Sequence, residues 1–235
     1  MDVANAYNEV LQEVSRACAD AGRSPDEITL IGVTKTFPNE TVVEAARAGI
    51  VDVGENRVQE LVRKAGELSH LEVNWHMIGH LQTNKVRAVL PLVSMIHSVD
   101  RLSLASEISR RATRSTPILL QVNTTGEASK FGIEPAELLP LVESLMELPE
   151  LEIRGLMTIG PRHGTEIENR RSFASLRALR DQCNLRYPDI DWGVLSMGMS
   201  ADFPTAIAEG ATHIRVGSRI FGPRPRPQET EAKPV

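Results

Sequence analysis

The chain has 235 residues, with 26 Lys and Arg against 31 Asp and Glu, a formal net charge of −5 and only 4% aromatic residues. That balance speaks against nucleic-acid and anionic-membrane surfaces, which need excess cations or stacking rings. Two cysteines, Cys18 and Cys183, make neither a disulfide framework nor a cysteine zinc site; no apolar run approaches the ~18 residues of a membrane span, and the polar N-terminus does not read as a signal peptide.

The first segment predicts an amphipathic helix, with Val3, Tyr7, Val10, Leu11, Val14 and Cys18 at helical spacing and Gly22 just past its end. Short β-branched or apolar runs then alternate with segments of helical period. Strands are expected at 28–35, 51–55, 75–79, 95–99, 118–123, 153–159, 192–197 and 213–217. A helix at 39–48 follows the first strand, and one carrying Val58, Leu61, Val62, Ala65 and Leu68 follows the second. Next come a short helix at 83–90 stopped by Pro91, and one bearing Leu102, Ala105 and Ile108 with Asp100 as its N-cap. Pro135 suits the first turn of a helix with Leu138, Val142 and Leu145. Thr165 and Glu168 form a capping box ahead of Phe173, Leu176 and Leu179. A last short helix runs over 202–208, closed by Gly210. Eight strand–helix units in about 220 residues predict a single α/β domain over 1–222, a (β/α)8 TIM-type barrel with an extra N-terminal helix. A doubly wound open sheet is the rival. The segment 223–235, rich in Pro and charge and without periodicity, reads as a disordered tail.

In such barrels chemistry gathers at the C-terminal ends of the strands, which selects Lys35, Asn56, 76–80, Asn123, 157–160, 198–200 and 215–218. Ile31, Val33 and Lys35 share one strand face. A lysine with its stem buried there loses solvation and offers the neutral amine that a Schiff base needs; the alternative is a lysine snorkelling to the rim. Gly198-Met199-Ser200 follows the seventh strand and Gly217-Ser218 the eighth, the two loops that commonly hold phosphate in this architecture. Arg215 shares a face with His213 and Gly217, so it lines the barrel and needs a partner: a ligand ring nitrogen or phosphate, or an ion pair with an acid such as Glu55. His76 and His80 lack the zinc-protease pattern and read as structural, no metal site is expected, and both cysteines read as core packing.

Several strings appear together in order: 33–36 (VTKT), 54–60 (GENRVQE), 75–85 (WHMIGHLQTNK), 98–100 (SVD), 130–132 (KFG), 195–200 (LSMGMS) and 215–217 (RVG). Over roughly residues 3–222 the chain resembles the pyridoxal phosphate homeostasis protein family, whose barrel is similar to the N-terminal domain of alanine racemase, a fold-type III pyridoxal phosphate barrel. The resemblance implies a cytoplasmic monomer that binds pyridoxal 5′-phosphate (PLP) and serves intracellular vitamin B6 homeostasis by buffering or delivering it. Position by position, it implies that Lys35 forms the internal aldimine, that Ser200, Gly217 and Ser218 bind the phosphate with Met199 beside them, that Arg215 faces the pyridine nitrogen, and that Asn56 lies near the cofactor. The partners implied are PLP itself and the amino acids or client enzymes that take it up.

The residues also bear on carrier against enzyme. An arginine at the ring nitrogen disfavours protonating it, which weakens PLP as an electron sink. A two-base racemase needs a second acid, supplied in alanine racemase by a tyrosine of a further domain. No such domain is expected after the eighth strand, and Tyr7 and Tyr187 fall away from the strand ends. The expectation is therefore no robust catalysis. A low-activity amino-acid racemase and a Schiff-base aldolase acting on a phosphorylated sugar are the enzymatic alternatives.

Overall fold

The computed structural model describes residues 2–127 and 130–223. Helix α1 (Val3–Asp20) opens the chain, and the Asp2 carboxylate caps it by accepting the Asn5 N–H at 3.2 Å. Eight strands follow: β1 (Thr29–Val33), β2 (Asp52–Glu55), β3 (Asn74–Met77), β4 (Met95–Val99), β5 (Thr116–Gln121), β6 (Leu151–Met157), β7 (Val194–Met199) and β8 (His213–Val216). Each pairs in parallel with its sequence neighbour, and β8 closes onto β1 with Leu30 opposite Ile214. Closure makes this a (β/α)8 barrel and removes the open-sheet rival. The intervening helices are α2 (Asn39–Arg47), α3 (Val58–Glu67), α4 (Val86–Val89), α5 (Leu102–Arg111), α6 (Leu138–Leu145), α7 (Glu166–Arg186), α8 (Phe203–Ala208) and α9 (Ser218–Phe221). The extra helix α1 packs against α2, α8 and α9.

Local chemistry explains most boundaries. The Thr165–Glu168 capping box opens α7 as expected, and Pro135 starts a single 3-10 turn that leads into α6. Asp100 is not the cap of α5. Arg101 occupies that position, and the Asp100 carboxylate instead accepts from the Arg101 guanidinium at 2.5 Å. Strand β7 begins two residues later than expected, because Trp192 is buried outside the ladder with its indole N–H donated to the Tyr187 carbonyl at 3.1 Å. From residue 224 onward, the segment expected to be a disordered tail lies outside the described residues.

Strand alternation sorts the core into two layers. Outward-facing Val53, Trp75, Met77, Ile96, Leu120, Leu195 and Ile214 pack against Leu61, Leu104, Ile108, Phe173 and Leu176 of the helices, each contributing on the order of 1.5–3 kcal/mol. Cys18 and Cys183 are buried free thiols, in agreement with their reading as packing. The inward face differs from the branched aliphatic filling usual for this fold. A small cluster of Leu119, Met157 and Val194 is apolar, whereas His76, His97, Ser196 and Arg215 are buried and polar.

Candidate functional site

Lys35 sits two residues beyond the inward-facing Val33, on a turn that β2 and α3 hold from behind. Thr34 is fully buried and donates its hydroxyl to Glu55 Oε1 at 2.7 Å. Lys64 of α3, also fully buried, donates to the same oxygen at 2.6 Å and to the Thr34 carbonyl at 2.7 Å. On the far side of the turn, the Thr36 N–H donates to Glu60 Oε2 at 2.7 Å, and Thr36 adopts a φ of 69°. A left-handed backbone at a β-branched residue is unfavourable, so these contacts hold the turn in place. Burial pushes the Glu55 carboxyl upward, opposed by Lys64 and Thr34.

Asn56 follows β2 with its backbone against Gly79. A Cβ on Gly79 would lie 2.1 Å from the Asn56 carbonyl oxygen, so only glycine permits this approach. At the other wall of the barrel, Gly198 has a φ of 91° and a Cβ there would lie 2.6 Å from Ala206. The chain thereby turns from β7 into α8, and the Met199 N–H donates to Asp202 Oδ1 at 2.6 Å. Ser200 Oγ accepts the Gly217 N–H at 3.2 Å, which joins the two glycine–serine loops. Ser218 begins α9, and the first N–H groups of a helix have no partner within it.

These segments surround one cavity of about 320 Å³ at the C-terminal end of the barrel, lined by Lys35, Asn56, Met199, Ser200, Arg215, Gly217 and Ser218 together with Val33, Phe37, Ile78, Ile159 and Ala201. That volume is at the small end of ordinary ligand sites. The seven residues assigned to the cofactor from the sequence all line the cavity; of the wider strand-end selection, His76, His80, Asn123, Met157 and Gly198 do not.

Arg215 is buried and points across the barrel interior. Its Nη1 donates to Ser196 Oγ at 2.6 Å and its Nη2 to the Thr158 carbonyl at 2.8 Å. No carboxylate among the described residues comes within ion-pair distance of it. The expected alternative of a pair with Glu55 fails, because Glu55 faces outward to Lys64. Burial pushes the guanidinium down to about 10, with the Asp202 charge opposing. It stays a cation at neutral pH, and among the described residues its bonds go to neutral oxygens.

Beneath Arg215 lies a row of histidines, with His76 and His97 buried and His213 half-buried. Burial first, and then His76, His213 and Arg215, push His97 well below the usual imidazole range. Burial also lowers His213, to about 4, with Asp52 opposing. Between about pH 6.5 and 4 both bind fewer protons folded than unfolded, so stability falls as pH drops through that window. Thermal unfolding should show Tm falling by roughly 5–10 °C from pH 7 to pH 4.5. A flat Tm over that range contradicts the burial of these two rings as neutral bases.

Sequence reasoning missed Lys64 and His97, whereas His76, read as structural, is buried and hydrogen-bonded. Lys64 falls three residues after Leu61 on the buried face of α3, so a lysine inside an apolar stripe was the available signal. Among the described residues no group of three His, Cys, Asp or Glu could hold a metal ion, and no helix is long and apolar enough to cross a membrane.

A closed barrel with a lysine after β1, paired serine loops after β7 and β8 and a buried arginine on β8 defines the class of alanine racemase-type barrels. The family model described as "Alanine racemase, N-terminal domain" matches residues 23–225. The chain belongs to the pyridoxal phosphate homeostasis protein family: the protein of that name from Aquifex aeolicus is 42% identical over 227 residues, covering 95% of this chain and 99% of the relative. PipY of Synechococcus elongatus PCC7942, whose structure has PLP bound, is 39% identical with a TM-score of 0.80, over 89% of this chain and 100% of that one. Alanine racemase from Corynebacterium glutamicum is 14% identical with a TM-score of 0.70, over 96% of this chain and 62% of that chain, a likeness of fold.

Proposed function

We propose that this chain binds PLP in the cavity at the C-terminal end of its barrel and acts in PLP homeostasis, as a cytoplasmic monomer that buffers the cofactor and passes it to incoming amines or client enzymes. The observation that carries the reading is the convergence of three complementary groups on one cavity: an amine, an anion cradle and a buried cation with no carboxylate at ion-pair distance among the described residues. They fit the three polar features of PLP, its aldehyde, its phosphate and its ring nitrogen. Lys35 would be the covalent anchor, presenting its ε-amine to the aldehyde carbon. Ser200, Gly217 and Ser218 hold the phosphate through hydroxyls and backbone N–H groups, with Met199 packed beside them and Asn56 near the ring. Arg215 faces the ring nitrogen.

When bound, PLP supplies an electrophilic carbon and a ring that accepts electrons best when its nitrogen is protonated. Arg215 keeps its own positive charge at neutral pH and opposes that protonation. Neither tyrosine is placed to act as a second acid: Tyr7 lies on α1, and the Tyr187 hydroxyl donates to the Leu139 carbonyl at 3.3 Å. The balance favours holding and releasing the cofactor over turning substrate over.

Titration of the purified protein with PLP, followed by borohydride reduction and peptide mapping, tests the reading. The expected result is a yellow complex that saturates near one equivalent and carries the pyridoxyl mass on Lys35. An absence of colour, or label scattered over surface lysines, overturns it.

A further inference from the structure

The interior of the barrel contains a continuous hydrogen-bonded row from Arg215 on β8 to Asp52 at the start of β2. Arg215 Nη1 and Ser196 Oγ are 2.6 Å apart, Ser196 Oγ and His97 Nδ1 3.0 Å, His97 Nε2 and His76 Nδ1 3.0 Å, and His76 Nε2 and Asp52 Oδ1 2.9 Å. The two ends fix its direction. A guanidinium only donates and a carboxylate only accepts. Ser196 accepts from Arg215; with both rings neutral the Asp52 end sets the rest, and Ser196 donates its own proton to His97 Nδ1. A ring nitrogen that accepts leaves the other to carry the proton, so His97 donates through Nε2 to His76, and His76 through Nε2 to Asp52. Every hydrogen points away from the cavity. The Asp52 side chain retains 23% exposure, against 5% for His76, so the row meets water at its far end.

We propose that Asp52, His76, His97 and Ser196 are positioning residues: a relay of fixed direction that aims Arg215 into the cavity and makes its aim sensitive to a proton taken up at the Asp52 end. The proposal rests on the PLP reading of the cavity. A proton added to His76 turns its Nδ1 into a donor. His97 must then accept at Nε2, carry its proton on Nδ1 and donate to Ser196. The Ser196 oxygen thus receives two donors and loses its own bond to His97, which alters the seat of Arg215 without any residue of the cavity wall being titrated. The groups facing the row fix where that proton settles. Arg215 and His213, both from β8, repel a charge on His97, and the His213 ring lies 6.2 Å from it. At the other end Asp52 Oδ1 lies against His76 Nε2 and also accepts from Asn74 of β3 at 3.1 Å. Tyr7 of α1 is the remaining titratable neighbour and feels the Asp52 charge.

The relay is tested first in the cofactor-free protein by 15N NMR of its histidines in mildly alkaline solution. His76 and His97 should both be protonated on Nε2 and bare on Nδ1; the opposite tautomer on either ring overturns the proposal. The second arm is the pH dependence of the absorption spectrum of the PLP complex. Asp52→Asn, far from the cavity, should move its midpoint by about one pH unit. Ser196→Ala, which strands a buried Arg215 donor, should raise the PLP Kd roughly tenfold. A wild-type complex whose spectrum ignores pH, or both variants matching wild type, overturns the relay with the PLP reading intact. If the wild-type protein takes up no PLP, the reading of the cavity fails, and the coupling proposed on it fails too. Should Asp52→Asn not fold, Ser196→Ala and the tautomers decide.

Discussion

Lys35→Ala should bind PLP without colour and about two orders of magnitude more weakly than wild type, a loss of ~2.7 kcal/mol. The substitution removes the only bond proposed between chain and cofactor that is covalent, and it leaves the anion loops and Arg215 in place. Residual affinity from the phosphate end should therefore persist, visible by equilibrium dialysis though not by absorption. Lys35→Arg is the informative companion, because it keeps the positive charge yet cannot form an imine. If the role of Lys35 were electrostatic attraction of an anion, Lys35→Arg would bind nearly as well as wild type. A Lys35→Ala protein that still turns yellow, or still retains a single pyridoxyl label after reduction, shows that the anchor lies elsewhere. Unchanged circular dichroism separates either result from misfolding.

The second large effect is expected away from the cavity. Lys64→Met leaves the Glu55 carboxylate fully buried beside one hydroxyl, and breaking such a pair costs about 3–5 kcal/mol. Against a total stability on the order of 5–15 kcal/mol, Tm should fall by roughly 6–20 °C. The double variant Glu55→Met/Lys64→Met should regain much of that loss, since well-packed apolar residues often replace a buried ion pair at little cost. It should not regain PLP affinity, because the Thr34 carbonyl still lacks its donor from Lys64 and the turn bearing Lys35 is freed. Stability and affinity recovering together would show that the pair serves packing alone. Thermal melts and PLP titrations on the same three proteins decide it.

The sequence was most legible where chemistry is local. The β4 boundaries, the capping box of α7, the glycine–serine loops and Lys35 follow from alternation, hydrogen-bonding side chains and position at strand ends, all short-range properties. Asp100 misled because its carboxylate met Arg101 before it could cap a helix, a competition that spacing does not reveal. Trp192 misled because its side chain is apolar while its indole N–H is committed to a loop carbonyl. The contacts that hold the site lay beyond reach for a different reason. Glu55 joins Lys64 nine residues on, whereas His97 reaches Ser196 almost a hundred residues away. Both depend on which strand is neighbour to which, and on which face each side chain takes after the barrel has closed.

The seam between β1 and β8 has a consequence for how this chain comes into being. Lys35 lies on the turn after the first strand, whereas Arg215, Gly217 and Ser218 belong to the last strand and the turn beyond it, and only pairing of those strands brings them together. During synthesis the lysine emerges early as an ordinary surface amine. The groups proposed to recognise the phosphate and ring arrive last. Contacts so distant in sequence form slowly, and closure of the ring completes the cavity in a single event. Uptake of ligand by a nascent or refolding chain would thus register the moment at which the first and last strands meet, and a chain cut short before β8 would display its reactive amine with no selectivity for what it captures.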